Sequence, residues 1–198
     1  RPDFTDIVPR AVESQEGTLL VIQQGNPELK PTLSNNLDAS LEYYFDPIGL
    51  LSASGFYKDL SDYNYTLRSS GTYLGVPAAI ITPENADGEL YGVELAWQQQ
   101  FTQLPGWLSG FGVFANFTYV DASIDVGRSY GGRTYFPLPG QSETVSNFAL
   151  FYEKGPVSLR LSFTDRSDYL DEINAEDGAL DLYVAGRDQI DFTASYQF

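Results

Sequence analysis

Apolar and polar residues alternate with a period of two along most of the chain. Leu37, Ala39, Leu41, Tyr43 and Phe45 are apolar, while Asn36, Asp38, Ser40 and Glu42 between them are polar. The pattern recurs at Tyr91 to Trp97, Phe111 to Tyr119, Phe148 to Tyr152, Val157 to Phe163 and Ile190 to Phe198. Successive side chains of a strand point to opposite faces, so each run predicts a strand with one apolar and one polar face. Segment 50–58 predicts a seventh strand whose faces stay ambiguous: Leu50 and Phe56 share a side with Lys58, and Leu51, Ala53, Gly55 and Tyr57 make the other. Compact turns at Asp46-Pro47-Ile48-Gly49, Leu104-Pro105-Gly106-Trp107 and Lys154-Gly155-Pro156 alternate with long polar loops at roughly 64–89, 125–141 and 170–186. Residues 1–32 show no comparable alternation and read as a loop region with a short apolar piece at Leu19 to Ile22.

In an up-and-down antiparallel sheet, this order puts every short turn at one edge and every long loop at the other. Outer-membrane barrels have that asymmetry, with short periplasmic turns and long extracellular loops. A soluble β-sandwich also alternates apolar with polar, but its strands average about 5–6 residues, whereas a strand crossing a bilayer needs about 9–11. The runs Leu37 to Phe45 and Phe111 to Tyr119 meet the longer requirement. Rings near strand ends, such as Tyr43, Tyr91, Trp97, Tyr152 and Tyr196, fit interfacial girdles. The expected fold is therefore all-β, an antiparallel up-and-down transmembrane β-barrel. Lipid requires that backbone polar groups pair within the protein, so the polar face lines a lumen, and Asp38, Glu42, Glu94, Arg160, Arg166 and Asp191 are expected to point into it. Seven strands do not close a bacterial single-chain barrel, which takes an even number from eight upward, so the chain reads as a sector of a larger one.

Composition narrows the chemistry. Of 198 residues, 27 are Asp or Glu and 11 are Lys or Arg, and there is no His, Cys or Met. Without His or Cys, Ser-His-Asp and Cys-His catalysis and Cys/His zinc sites cannot be assembled. No pair of carboxylates stands out as an acid and a base, so no enzymatic activity is expected. A formal charge of −16 with scattered basic residues argues against nucleic acid. The absence of Met and the start at Arg1-Pro2-Asp3 fit a piece of a longer precursor.

Gly25-Asn26-Pro27-Glu28-Leu29-Lys30-Pro31, then Asn36, Leu41-Glu42-Tyr43-Tyr44-Phe45 and Gly55-Phe56-Tyr57-Lys58-Asp59, resemble TonB-dependent outer-membrane receptors. Within them the chain is most similar to the subgroup of Xanthomonas- and Caulobacter-like bacteria. Arg1-Pro2-Asp3-Phe4, Pro9-Arg10, Tyr91-Gly92-Val93-Glu94-Leu95 and Ala149-Leu150-Phe151-Tyr152-Glu153-Lys154-Gly155 extend the resemblance over nearly the whole chain. It implies the C-terminal part of a 22-stranded barrel in the bacterial outer membrane. It also implies uptake of a siderophore-iron complex, vitamin or oligosaccharide with energy from the TonB complex. On this reading 1–198 is barrel only, with 1–32 an extracellular loop region and 33–198 the strands. The plug domain and the TonB-engaging segment would lie upstream, and no cofactor is implied. A soluble carbohydrate-binding β-sandwich and a passive porin are the alternatives.

Candidate ligand contacts fall in the long loops. Arg128, Tyr130, Arg133, Tyr135 and Phe136 bring cations and rings together among glycines, and Tyr73 and Tyr169 offer further rings. Such sets suit an anionic siderophore or a sugar. Asp171, Glu172, Asp177 and Asp181 lie in an acidic run that could hold Ca²⁺ or share cations with lipopolysaccharide, although it lacks the Asp-x-Asp-x-Asp-Gly spacing of an EF-hand. A solvated acidic loop, and aromatics packed on neighbouring loops, are the plain readings of the same residues.

Overall fold

The structure, a computed structural model, describes residues 2–46 and 48–198; Arg1, and Pro47 within the first predicted turn, lie outside the described residues. After a single helical turn α1 (Phe4–Ile7) come β1 (Ala11–Glu16), β2 (Leu19–Gln24), β3 (Leu33–Phe45), β4 (Gly49–Tyr73) and β5 (Val76–Gln100). Then follow β6 (Phe111–Tyr130), β7 (Arg133–Pro137), β8 (Thr144–Lys154), β9 (Val157–Arg166), β10 (Tyr169–Asn174), β11 (Leu182–Val184) and β12 (Arg187–Tyr196). Seven of these, β3, β4, β5, β6, β8, β9 and β12, pair antiparallel in chain order as an open curved wall, with β3 and β12 at opposite edges. They are the seven expected strands. Among the described residues no helix is long and apolar enough to cross a membrane.

The cross-strand register resolves the faces. One row of directly opposed residues runs Tyr43, Leu51, Trp97, Ala115, Phe148, Phe163, Ile190, so the odd-numbered side of 50–58 belongs to the apolar face. Most of its large side chains are exposed, as lipid-facing residues are when no lipid covers them. The neighbouring row starts apolar at Leu41, Ala53, Leu95 and Phe117 but ends at Ser146, Asp165 and Asp188. The greasy band thus slides down the strands from β5 to β9, by roughly two residues per strand, because barrel strands tilt across the membrane.

The long connections differ from expectation. Residues 64–89 are not a loop: β4 and β5 continue as one hairpin of 25 residues each, turning only at Leu74 and Gly75, both at positive φ. Each strand extends about 80 Å, far more than a bilayer requires. Segment 125–141 continues β6 and folds back as β7, and 170–186 contains β10 and β11. Within the region expected to be a loop, residues 11–24 form a hairpin, and β2 lies parallel to β5 at Leu20–Gln23 against Ala78–Ile81. The distal halves of β4 and β5 become the centre of an upper region of the same twelve-stranded sheet, the distal sheet, flanked by β10–β11 on one side and β2–β1 on the other.

A bulge at the junction explains why that sheet is built differently. Leu60 opposes Gly88, but Tyr63 opposes Ala86, so β4 carries one residue more than β5 there, with Asp62 at φ 53°. One extra residue exchanges the faces of everything beyond it. Tyr65 and Leu67 therefore join Leu60, Leu90, Val120 and Ile124 on the inner face, and Arg68 turns outward. Phe136, Leu138, Leu170 and Ile173, from the two returning segments, complete this core. The inner face thus carries the expected Glu94, Arg160 and Asp191 along the membrane-crossing stretch and an apolar core above it.

The Gly25 to Pro31 segment clamps the bulge. The Asn85 amide donates to the carbonyls of Lys30 (3.1 Å) and Asp62 (2.8 Å) and accepts from the Lys30 N–H (2.8 Å). Lys30 Nζ sits 3.3 Å from the Asp62 carboxylate. Gly25 has no room for a side chain, since a Cβ there would lie 2.1 Å from the Val8 carbonyl oxygen.

Candidate functional site

The core places the loop residues in two groups. On the inner face of the distal hairpin, Glu84 accepts hydrogen bonds from Tyr65 (3.1 Å) and Tyr130 (3.3 Å) and pairs with Arg128. The Arg128 guanidinium also lies 5.2 Å over the Tyr130 ring. Burial, followed by the Glu84 charge, pushes the Tyr65 hydroxyl far above the usual phenol range, which keeps it a donor. Arg128 is mostly exposed, so this pair can meet a solute, but its charge is already matched.

Arg133 makes two bonds to the Asp181 carboxylate (2.6 and 3.2 Å) and lies 4.5 Å over the Phe136 ring. Asp181 is buried and also accepts the Asn174 N–H at 2.9 Å. Gly178 makes the approach possible, because a Cβ there would sit 2.6 Å from the guanidinium carbon. Tyr135 is exposed at the surface, Tyr73 stands at the far tip of the hairpin, and Tyr169 lies 4.9 Å beneath the Arg166 guanidinium. The seven candidate ligand residues therefore do not converge. Arg128 and Tyr130 share Glu84, Arg133 is a fastener set over the Phe136 ring, and the remaining three are dispersed.

Nor are the four predicted metal ligands gathered. Glu172 faces Arg68 (3.4 Å), Asp177 caps a short 3-10 turn through the Ala179 N–H (2.9 Å), Asp181 holds Arg133, and Asp171 is exposed. Among the described residues no group of three or more acids is placed to hold a metal. Instead the acids tie segment 169–184, a strap whose β10 runs parallel beside β4, to its neighbours. Glu176 accepts the Ser70 N–H at 2.6 Å, and Arg68 joins both Glu172 and Glu16. Sequence reasoning did not single out Glu84, or Arg187, which stands directly opposite Arg166. Both relations connect residues far apart in the chain, and the pattern within one strand carries no trace of them.

The architecture of seven tilted strands with a greasy outer band has a counterpart. All of residues 1–198 match the family model described as TonB dependent receptor-like, beta-barrel. The chain belongs to this family. TonB-dependent receptors are outer-membrane β-barrels that act as receptors and transporters, not as enzymes. Among solved structures, the chain is similar to a mutant of the ferric enterobactin receptor PfeA from Pseudomonas aeruginosa, at 17% identity and a TM-score of 0.61 over 99% of this chain and 29% of that one. The copper transporter OprC matches at 20% identity and a TM-score of 0.60, over 87% of this chain and 24% of that one. The siderophore receptor PirA from Acinetobacter baumannii matches at 20% identity and a TM-score of 0.56, over 90% of this chain and 27% of that one. The chain thus spans under a third of the length of these receptors. No curated protein matches the sequence.

Proposed function

We propose that the full-length protein is an outer-membrane receptor that imports a scarce solute with energy delivered through TonB. The observation that carries this reading is the combination of a lipid-facing band on seven strands with long connections that pack inward above it. Such packing builds a solute-facing surface over the mouth, which a passive pore does not need. The long-loop end, including 1–32, faces the exterior, and the turns at 46–49, 101–110 and 154–156 face the periplasm. Glu42, Glu94 and Arg160 on the inner wall face a plug supplied by other parts of the chain. Chelated metal is the leading solute class, because the similar structures are named for ferric enterobactin, a siderophore and copper; a vitamin or oligosaccharide is the alternative. Arg128, exposed beside the Tyr130 ring, and the exposed Tyr135 are the loop residues best placed to meet it, and the motifs from Gly25 to Asp59 support membership of the Xanthomonas- and Caulobacter-type subgroup. The test is uptake of labelled ferric siderophores and oligosaccharides by cells carrying the full-length receptor, with and without a functional TonB complex. Uptake that requires both supports the proposal, and uptake that ignores TonB would establish the porin reading instead.

A further inference from the structure

The outward face of the distal sheet carries a cavity of its own. Asn174 is the direct partner of Arg68 in the β10–β4 ladder and shares its outward side, turned away from the core of Tyr65, Leu67, Leu170 and Ile173. With Leu19, Leu180 and Leu182 these two residues line a cavity of about 440 Å³, which Ala78 and Ala79 also border. That volume lies in the range of small-molecule sites. The three leucines are 42%, 63% and 50% exposed, so the rim is apolar and uncovered. Asn174, by contrast, is only 7% exposed. Its side-chain oxygen accepts from the N–H groups of Glu176 (3.0 Å) and Asp177 (3.1 Å), while among the described residues its amide nitrogen has no acceptor. Among those residues no fully buried side-chain nitrogen or oxygen lacks a partner, so the Asn174 nitrogen opens onto the cavity. The charges nearby are already engaged: Arg68 is held by Glu16 and Glu172, and Glu176 accepts the Ser70 N–H at 2.6 Å. One base among three acids disfavours an anion, and the open donor calls for a neutral acceptor.

We infer that this cavity binds a small neutral molecule with an apolar body and a carbonyl head. The body lies against Leu19, Leu180 and Leu182, and the carbonyl accepts from the Asn174 amide nitrogen. An apolar body that fills the cavity excludes water from that nitrogen, and only a ligand that also brings an acceptor avoids leaving a buried donor unpaired. The apolar rim and the single donor therefore select for the same ligand. The site lies on the other face of the β4–β5 hairpin from Tyr65, Glu84 and Tyr130, so it does not look into the lumen. The inference needs neither import nor TonB.

The experiment titrates the purified full-length receptor in lipid nanodiscs with three probes that share one body, followed by ligand-detected NMR. N-acetyl-leucinamide is neutral, N-acetyl-leucine is an anion at neutral pH, and leucinamide is largely a cation. Saturable binding of the neutral probe is expected, with the anion bound about tenfold or more weakly. Leu180→Ser and Leu182→Ser, at exposed positions outside the core, are each expected to weaken the neutral probe about tenfold, and Leu104→Ser in the 101–110 turn to leave it unchanged. Asn174→Asp keeps the accepting oxygen but removes the donor, and weaker binding of the neutral probe is again expected. Should that variant fail to assemble, the leucine variants still decide. No saturable binding of the neutral probe, tighter binding of either charged probe, or unchanged affinity in both leucine variants would overturn the inference. Because uptake is not measured, its failure is distinguishable from a failure of the import reading.

Discussion

Arginine scanning along β9 tests the face assignment on which the rest depends. Leu161 stands in a row with Leu150 and Phe192 and lies between Leu159 and Phe163 on the same apolar side. These neighbours put it near the middle of the greasy band on β9. An arginine on the lipid face costs about 2–4 kcal/mol at the membrane midplane, and this site belongs in the upper part of that range. Four kilocalories correspond to a change of several hundred-fold in the folding equilibrium. Ser162, one residue away, projects from the other face and is opposed by Ala149 and Asp191. An arginine there gains a carboxylate neighbour, and the expected change is within about 0.5 kcal/mol. The assay is equilibrium unfolding by urea of the full-length receptor refolded into lipid vesicles, with Leu161→Arg and Ser162→Arg compared side by side. Equal losses, or a larger loss for Ser162→Arg, would refute the reasoning, because a single-residue error in register exchanges the two faces.

Other outcomes follow from the distal sheet. Asp181→Asn removes the charge that holds Arg133 and is expected to weaken the strap by about 1–3 kcal/mol, seen as faster proteolysis within 169–184 while the wall stays protected. Glu172→Gln is expected to leave the strap as stable or slightly more stable at neutral pH. Burial raises the Glu172 carboxyl above its ordinary value of 4.5 despite the opposing pull of Arg68, so its contribution is fully present below that value and is lost as pH rises through the raised one. Proteolysis of the strap should therefore lose part of its pH dependence in this variant, and an unchanged profile would remove Glu172 as its source. Gly25→Ala forces a Cβ onto the Val8 carbonyl and should speed hydrogen exchange in 20–31 while leaving β9 and β12 unaffected.

The membrane wall was legible because lipid imposes one rule on every strand: apolar out, polar in, over at least nine residues. Leu37, Val93, Phe117 and Leu161 all obey it, and the alternation of short with long connections set their order. The distal sheet obeys no single rule. Ile80 and Ile81 are adjacent apolar residues on opposite faces, both half-buried, so the alternation is lost there, and Pro77 and Pro83 look like strand breakers. The bulge at Asp62 then shifts the period halfway along β4, so Tyr65 and Leu67 fall out of phase with Leu60. The candidate ligand residues were recognisable as a class, cations among rings in long connections. Their partners were not, because Glu84 lies 44 residues from Arg128, and Asp181 lies 48 from Arg133.

The strap also bears on the order in which the molecule comes together. Its bond from Ser70 to Glu176 joins residues 106 positions apart, whereas each wall hairpin forms between neighbours in the chain. Contacts across such separations wait until loop-closure entropy has been met by earlier structure. Leu170 and Ile173, among the most deeply buried side chains, can therefore reach their places only after the β4–β5 hairpin stands and β6 has joined it. Seating of the strap would then be a late, slow phase of assembly, and a chain arrested before it would have a finished wall and an uncovered apolar patch at its mouth.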